Sequence, residues 1–184
     1  MASAQHAASL DDGDPLVLTM LATAECLAHE PASAATHIRR ALKIDPNFAW
    51  GWIRCGLINT YVGRSEVALS DFEKVLRLSP LDPLLYMAHI GLSQLHLYEG
   101  RYEDAITSAE KCLLENPKAV WANRSLAAAA AMAGDEAKAA RCVALMERYS
   151  PGISVGGIMD AIPLHAEPMR EIYRDALLRA GFRR

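Results

Sequence analysis

The same three residues recur at fixed offsets along this chain, and that recurrence limits the fold more than any other feature. Gly63, Gly100 and Gly134 are each followed five residues later by alanine (Ala68, Ala105, Ala139) and seventeen residues later by proline (Pro80, Pro117, Pro151). His29, Ala34 and Pro46 keep the same offsets one unit earlier, so successive prolines stand 34, 37 and 34 residues apart. Such a period marks one supersecondary unit copied in series, each copy burying its apolar face on the next. The glycine predicts a left-handed turn between two helices. The alanine is small where helices must approach closely, and the proline ends one unit and suits the start of another. Gly-Arg-Ser-Glu-Val-Ala at 63–68 and Gly-Arg-Tyr-Glu-Asp-Ala at 100–105 open the second helix with acids that favour its dipole. Asp14-Pro15, Asp45-Pro46 and Asp82-Pro83 read as capping aspartates beside prolines at helix starts.

Inside this frame lies a second pattern. Trp52-x-x-Cys55-Gly56 and Ala68-x-x-x-Phe72 precede Pro80. Leu18-x-x-Leu21-Ala22 with Ala34-x-x-x-Ile38, His89-x-x-Leu92-Ser93 with Ala105-x-x-x-Ala109, and Asn123-x-x-Leu126-Ala127 with Ala139-x-x-x-Val143 are looser copies. The pattern resembles the tetratricopeptide repeat, which pairs a tryptophan-x-x-leucine-glycine helix with an alanine-x-x-x-phenylalanine helix and a closing proline. Repeats are expected at 15–48, 49–82, 86–119 and 120–153, with Pro83 to Leu85 inserted between the second and third. The resemblance implies an all-α fold, a right-handed superhelix of antiparallel helix pairs forming an α-α solenoid.

The resemblance also implies a concave groove, lined by the first helix of each pair, that receives a peptide or helix from a protein partner. On this register the groove candidates are Leu16, Thr19 and Thr23; Trp50, Ile53 and Leu57; Met87, Ile90 and Gln94; and Trp121, Arg124 and Ala128. Spacings of three and four put each set on one helix face. Trp50, Met87 and Trp121 recur at matching places and form an apolar, aromatic stripe of the residue types favoured at interfaces. Alternatively, the chain's own tail fills the groove. Some relatives grip a terminal carboxylate with lysine and asparagine, but the corresponding places here are mostly Thr, Ile and Leu, with Arg124 the sole cation. That argues against such a clamp and leaves Arg54 and Arg124 as candidates to hold an acidic side chain.

The ends depart from the period. Residues 2–10, with Ala4, Ala7, Ala8 and Leu10, look like the second helix of a truncated repeat, or a plain N-terminal cap over residues 1–14. Residues 152–165 contain Gly152, Gly156, Gly157 and Pro163 and predict a loop or a weak helix. From Glu167 to Ala180, Met169, Ile172, Tyr173, Ala176, Leu177 and Ala180 fall on one helical face, with Gly181 as a stop. Residues 154–184 thus predict a linker and a capping helix for the open end of the stack. Three runs (Leu78 to Pro83, 100–105, and Tyr173 to Gly181) are also similar to the C-terminal repeat region of bacterial class III adenylate cyclases and related winged-helix regulators. That similarity implies a regulatory appendage and no cyclase chemistry in the repeats themselves.

Composition narrows the function. Charged residues are 22% with both signs interspersed and a net charge of −3, which leaves no basic stripe for nucleic acid. No apolar run reaches the roughly 18 residues of a membrane span, and the first residues lack the basic-then-apolar pattern of a secretory signal. Cys26, Cys55, Cys112 and Cys142 stand singly inside helical patterns, as expected of buried fillers in the reducing cytoplasm. His89 and His96 lie two turns apart, and no metal-ligand spacing, phosphate loop or nucleophile elbow is present. The sequence therefore predicts no enzyme, metal or cofactor. It predicts a protein-binding scaffold or, in a second reading, a homo-oligomerisation module.

Overall fold

The computed structural model describes residues 13–184, so the expectation for residues 2–10 lies outside the described residues. Among the described residues the chain is all-helical, apart from one isolated bridge between Ser154 and Arg183. It divides into two compact units between Asp82 and Pro83, where the three-residue insertion falls.

The first unit contains α1 (Pro15–Leu27), α2 (Pro31–Ile44), α3 (Ala49–Tyr61) and α4 (Ser65–Leu78). Sequence neighbours pair, α1 with α2 and α3 with α4, and α3 also packs on α2 and α1. Helix α3 is sandwiched: Gly51, Ile53 and every residue from Cys55 to Thr60 are buried. Helix α4 buries only Ala68, Asp71, Phe72 and Val75, one face of an amphipathic helix. Ala22, Cys26, Ala34, Ile38, Leu42, Cys55 and Ile58 form a continuous apolar cluster with Trp52 and Tyr61 against it.

The second unit contains α5 (Leu85–Tyr98), α6 (Tyr102–Glu115), a 3-10 turn (Val120–Ala122), α7 (Asn123–Ala133), α8 (Glu136–Tyr149), α9 (Val155–Asp160) and α10 (Glu167–Ala180). Here α5 pairs with α6 and α7 with α8. Ala127 to Ala131 of α7 are all buried, and their small side chains let neighbouring helices come close on several sides. The loop-or-weak-helix expectation for 152–165 resolves into the six-residue α9, capped by Ser154, whose Oγ accepts from the Gly157 N–H at 3.2 Å. The terminal helix spans the expected residues. It buries Tyr173, Ala176, Leu177 and Ala180, whereas Met169 and Ile172 stay half-buried.

The turns follow the periodic glycines closely. Gly63, Gly100 and Gly134 have φ of 83°, 74° and 86°. Each is followed by a residue whose N–H reaches back to the preceding helix: Arg64 to Asn59 O (2.9 Å), Arg101 to His96 O (2.8 Å) and Asp135 to Ala130 O (2.9 Å). These bonds satisfy carbonyls that a helix end leaves open. His29 takes the glycine place with φ 62°, the single non-glycine residue with positive φ among the described residues, and Glu30 N–H closes the same turn on Glu25 O at 2.8 Å. A side chain in that conformation is strained by roughly 1 kcal/mol. His29→Gly should therefore raise stability by about that amount and Gly100→Ala should lower it similarly, both read from urea midpoints.

The aspartate-proline pairs behave unequally. Asp14 caps α1 as expected, its Oδ1 accepting from Leu16 N–H at 2.7 Å with Pro15 at the first helical position. Asp45 instead ends α2 and accepts from Asn47 N–H at 2.9 Å, while α3 starts only at Ala49. Asp82-Pro83 likewise precedes a turn, and α5 starts at Leu85 without a side-chain cap. The chain needs a turn between units before the next first helix can begin, and these aspartates serve that turn.

Candidate protein-binding surfaces

The twelve stripe residues sit on α1 and α3 in the first unit, and on α5 and the turn-plus-α7 segment in the second. They are not uniformly open. Leu16 is 47% exposed, and Thr23, Trp50, Met87, Trp121 and Arg124 are half-buried. Thr19, Ile53, Leu57, Ile90, Gln94 and Ala128 are buried. The matching tryptophans have matching neighbours: Arg54 lies over the Trp50 ring at 5.7 Å and Arg124 over Trp121 at 5.6 Å. Both arginines thus hold a cation on an aromatic face. Arg54 also donates from Nε to Thr23 Oγ1 at 2.9 Å, linking α3 to α1. Met20, which the periodicity did not single out, is 54% exposed one turn after Leu16, and Leu27 on the same face is 58% exposed.

Three buried polar atoms of this stripe, Thr19 Oγ1, Gln94 Oε1 and Arg124 Nε, have no hydrogen-bond partner within the chain. Buried polar groups are nearly always paired, so an orphan marks a place where something else supplies the bond.

In the second unit α10 packs chiefly on α7 and lightly on α5 and α8. The Tyr173 hydroxyl lies 3.2 Å from Ser125 Oγ, both groups buried. Helix α10 therefore lies against the same helices that carry Gln94 and Arg124, rather than only on the second helix of the last pair.

A different polar arrangement recurs between the two helices of the first two pairs. Glu25 Oε2 lies 2.8 Å from His37 Nδ1, and Asn59 Nδ2 donates to Asp71 Oδ2 at 2.9 Å. Those pairs are one period apart; the next two copies hold His96 with Ser108 and Ala130 with Cys142. Burial pushes the Asp71 carboxyl above its usual 3.8, opposed by bonds from Asn59 and Cys55 and by the Lys74 charge. The native chain then holds this proton more tightly than the unfolded chain. Its contribution to stability falls as pH rises from 3.8 through the raised native value. The stability of Asp71→Asn relative to the parent chain should therefore increase across that window, in urea titrations at stepped pH. A pH-independent difference would contradict it.

All four cysteines are buried and free. Burial holds the thiols protonated, Cys26 up to about 11 and Cys112 up to about 12, with Cys55 and Cys142 also raised. Thiols of this kind are poor nucleophiles. Among the described residues no three of His, Cys, Asp and Glu come together as a metal-binding group, and no helix is long and apolar enough to cross a membrane. His89 pairs with Glu115 at 3.0 Å and His96 with Arg101 at 2.6 Å.

Comparison with known proteins places this arrangement. A family model described as tetratricopeptide repeat matches residues 88–118, most of α5 and all of α6. No curated protein sequence matches the chain. Among solved structures, the chain is similar to PilW, a widely conserved type IV pilus biogenesis factor, with a TM-score of 0.73 and 20% identity over 98% of this chain and 83% of that one. It is also similar to YrrB, a repeat protein with an unusual peptide-binding site (TM-score 0.58, 18% identity, 96% and 90% covered). A third likeness is to a tetratricopeptide repeat protein from Parabacteroides merdae (TM-score 0.63, 17% identity, 97% and 75% covered). Residues 88–118 therefore match a tetratricopeptide repeat, and the chain as a whole shares the helical-repeat fold of these structures.

Proposed function

We propose that this chain is a protein-interaction scaffold whose first-helix stripes receive a helix or extended segment of a protein partner. The observation that carries this reading is that three stripe residues hold buried polar atoms without a hydrogen-bond partner in the chain, Thr19 Oγ1, Gln94 Oε1 and Arg124 Nε. A partner that fits offers an apolar side chain to Trp50 in the first unit, or apolar side chains to Met87 and Trp121 in the second with a donor for Gln94 and an acceptor for Arg124. Burying those anchors supplies most of the affinity, and charge steering little. In the second unit such a segment competes with α10, which leaves Gln94 Oε1 and Arg124 Nε unpaired. The three runs similar to cyclase and winged-helix regulators support a place as a regulatory appendage of a larger bacterial signalling protein in the cytoplasm. Nothing in the reading calls for catalysis, a cofactor, nucleic acid or a membrane.

The test places a photo-crosslinking benzoylphenylalanine at Trp50 or Trp121, and at Leu114 as a control, in cells that express the chain. Leu114 is 81% exposed and lies outside the stripe. A discrete protein adduct from Trp50 and Trp121 but not from Leu114 is expected. Adducts from Leu114 alone, or none from the tryptophans, would overturn the reading.

A second reading is homo-oligomerisation, favoured by the exposed face Leu16, Met20 and Leu27 of α1. Sedimentation over a concentration range separates the two. A dimer lost in Leu16→Ser/Met20→Ser would establish self-association, and a monomer at all concentrations would remove it.

A further inference from the structure

The first unit also contains a cavity that lies away from the stripe. It has a volume of 430 Å³ and is formed between α2 and α4 over α3. Its origin is legible in the repeat. At the place of Cys55, the other three copies hold leucine: Leu21, Leu92 and Leu126. The family pattern also has leucine there. Cysteine is shorter and unbranched, so the space that a leucine would fill stays open beside Trp52 and Ile58.

The walls have two characters. The floor is apolar, from Ile38, Leu42, Ile58 and the Trp52 ring. At the rim stand Arg39, Lys43 and Arg64, all exposed, and no carboxylate among the described residues is in ion-pair distance of any of them. A chain of net charge −3 thus gathers around one apolar hollow three cations with no ion-pair partner among the described residues. Asp71 is the single acid on the lining. It is buried and already engaged by Asn59 at 2.9 Å, so it does not neutralise the rim.

We infer that this cavity is a second docking site, which takes a partner peptide segment presenting one bulky apolar side chain flanked by carboxylates. The apolar side chain fills the space vacated at Cys55, and the flanking acids pair with Arg39, Lys43 and Arg64. Charge complementarity selects this occupant. A basic segment would meet three like charges, and a purely apolar one would leave the rim cations unused. The site lies between second helices and is independent of the first-helix stripe.

The test selects a random peptide library on the intact chain and measures each recovered peptide on three variants. Cys55→Leu fills the hollow with the residue the other copies use, so it keeps the fold. Arg39→Glu/Lys43→Glu reverses the rim, and Trp50→Ala/Trp121→Ala alters only the stripe. A class of peptides should emerge with an apolar residue between acids. It should bind Cys55→Leu and the charge-reversed variant at least about tenfold more weakly, and the tryptophan variant unchanged. Circular dichroism and the urea midpoint confirm that Cys55→Leu is folded. Peptides without acidic flanks, or full binding to Cys55→Leu, would overturn the inference. If every binder depends on the tryptophans and none on Cys55, the stripe reading stands and the cavity site falls.

Discussion

Replacing Phe72 by alanine should cost about 3–5 kcal/mol, and the loss should shrink when Gly56 is changed to alanine in the same chain. Phe72 is fully buried on α4. A Cβ built on Gly56 of α3 would lie 2.5, 2.8 and 2.8 Å from three atoms of its ring. Alanine normally stabilises a helix interior by up to about 1 kcal/mol over glycine. Here the sign reverses, because a buried ring has nowhere to go: Gly56→Ala alone should destabilise by about 1–3 kcal/mol. With the ring removed, the same methyl group occupies part of the void. The double variant should thus be more stable than the sum of the single losses predicts, by an amount that urea denaturation of all four chains measures. Strict additivity would mean that the two helices do not meet through this contact.

Tyr173→Ala should release α10. Tyr173, Ala176 and Leu177 are fully buried, and the Tyr173 hydroxyl bonds with Ser125. Truncating the ring removes the largest buried side chain of this helix and leaves the Ser125 hydroxyl without that partner. A loss of about 3–5 kcal/mol is expected, concentrated on the docking of one helix. Hydrogen exchange should show protection lost across Glu167–Ala180 while α5 to α8 keep theirs. Loss of protection throughout the second unit would instead make α10 an inseparable part of its core.

Much of this organisation was readable from residues whose local chemistry is decisive. Glycines at 63, 100 and 134 stop helices wherever they fall in the fold, because positive φ is a local property. His29 showed that position in the period can override residue type, since the neighbouring turns impose the same backbone on a residue that dislikes it. The aspartates at 45 and 82 depart from the capping expectation because an aspartate before proline suits a turn as well as a cap, and only the start of the next helix decides. The stripe was legible as a face, but its depth was not. Whether Ile53 or Gln94 is open depends on what packs over it. The docking of α10 on α7 is likewise a tertiary choice that a run of alanines permits without announcing. The hollow at Cys55 is not apparent from reading that cysteine as a buried filler, because its volume and its rim of cations come from helices brought together across the sequence.

The claim that the stripe awaits a partner is tested most directly by Gln94→Leu, measured twice. Gln94 is buried and its Oε1 has no partner, so a leucine of similar size removes an unpaired polar atom. The free chain should then become more stable by about 1 kcal/mol. The partner captured at Trp121 should bind the variant about tenfold more weakly, having lost the hydrogen bond that it supplies. Opposite signs in the two measurements are the predicted result. A variant that is less stable alone, or that binds the captured partner as tightly as the parent chain, would contradict the account.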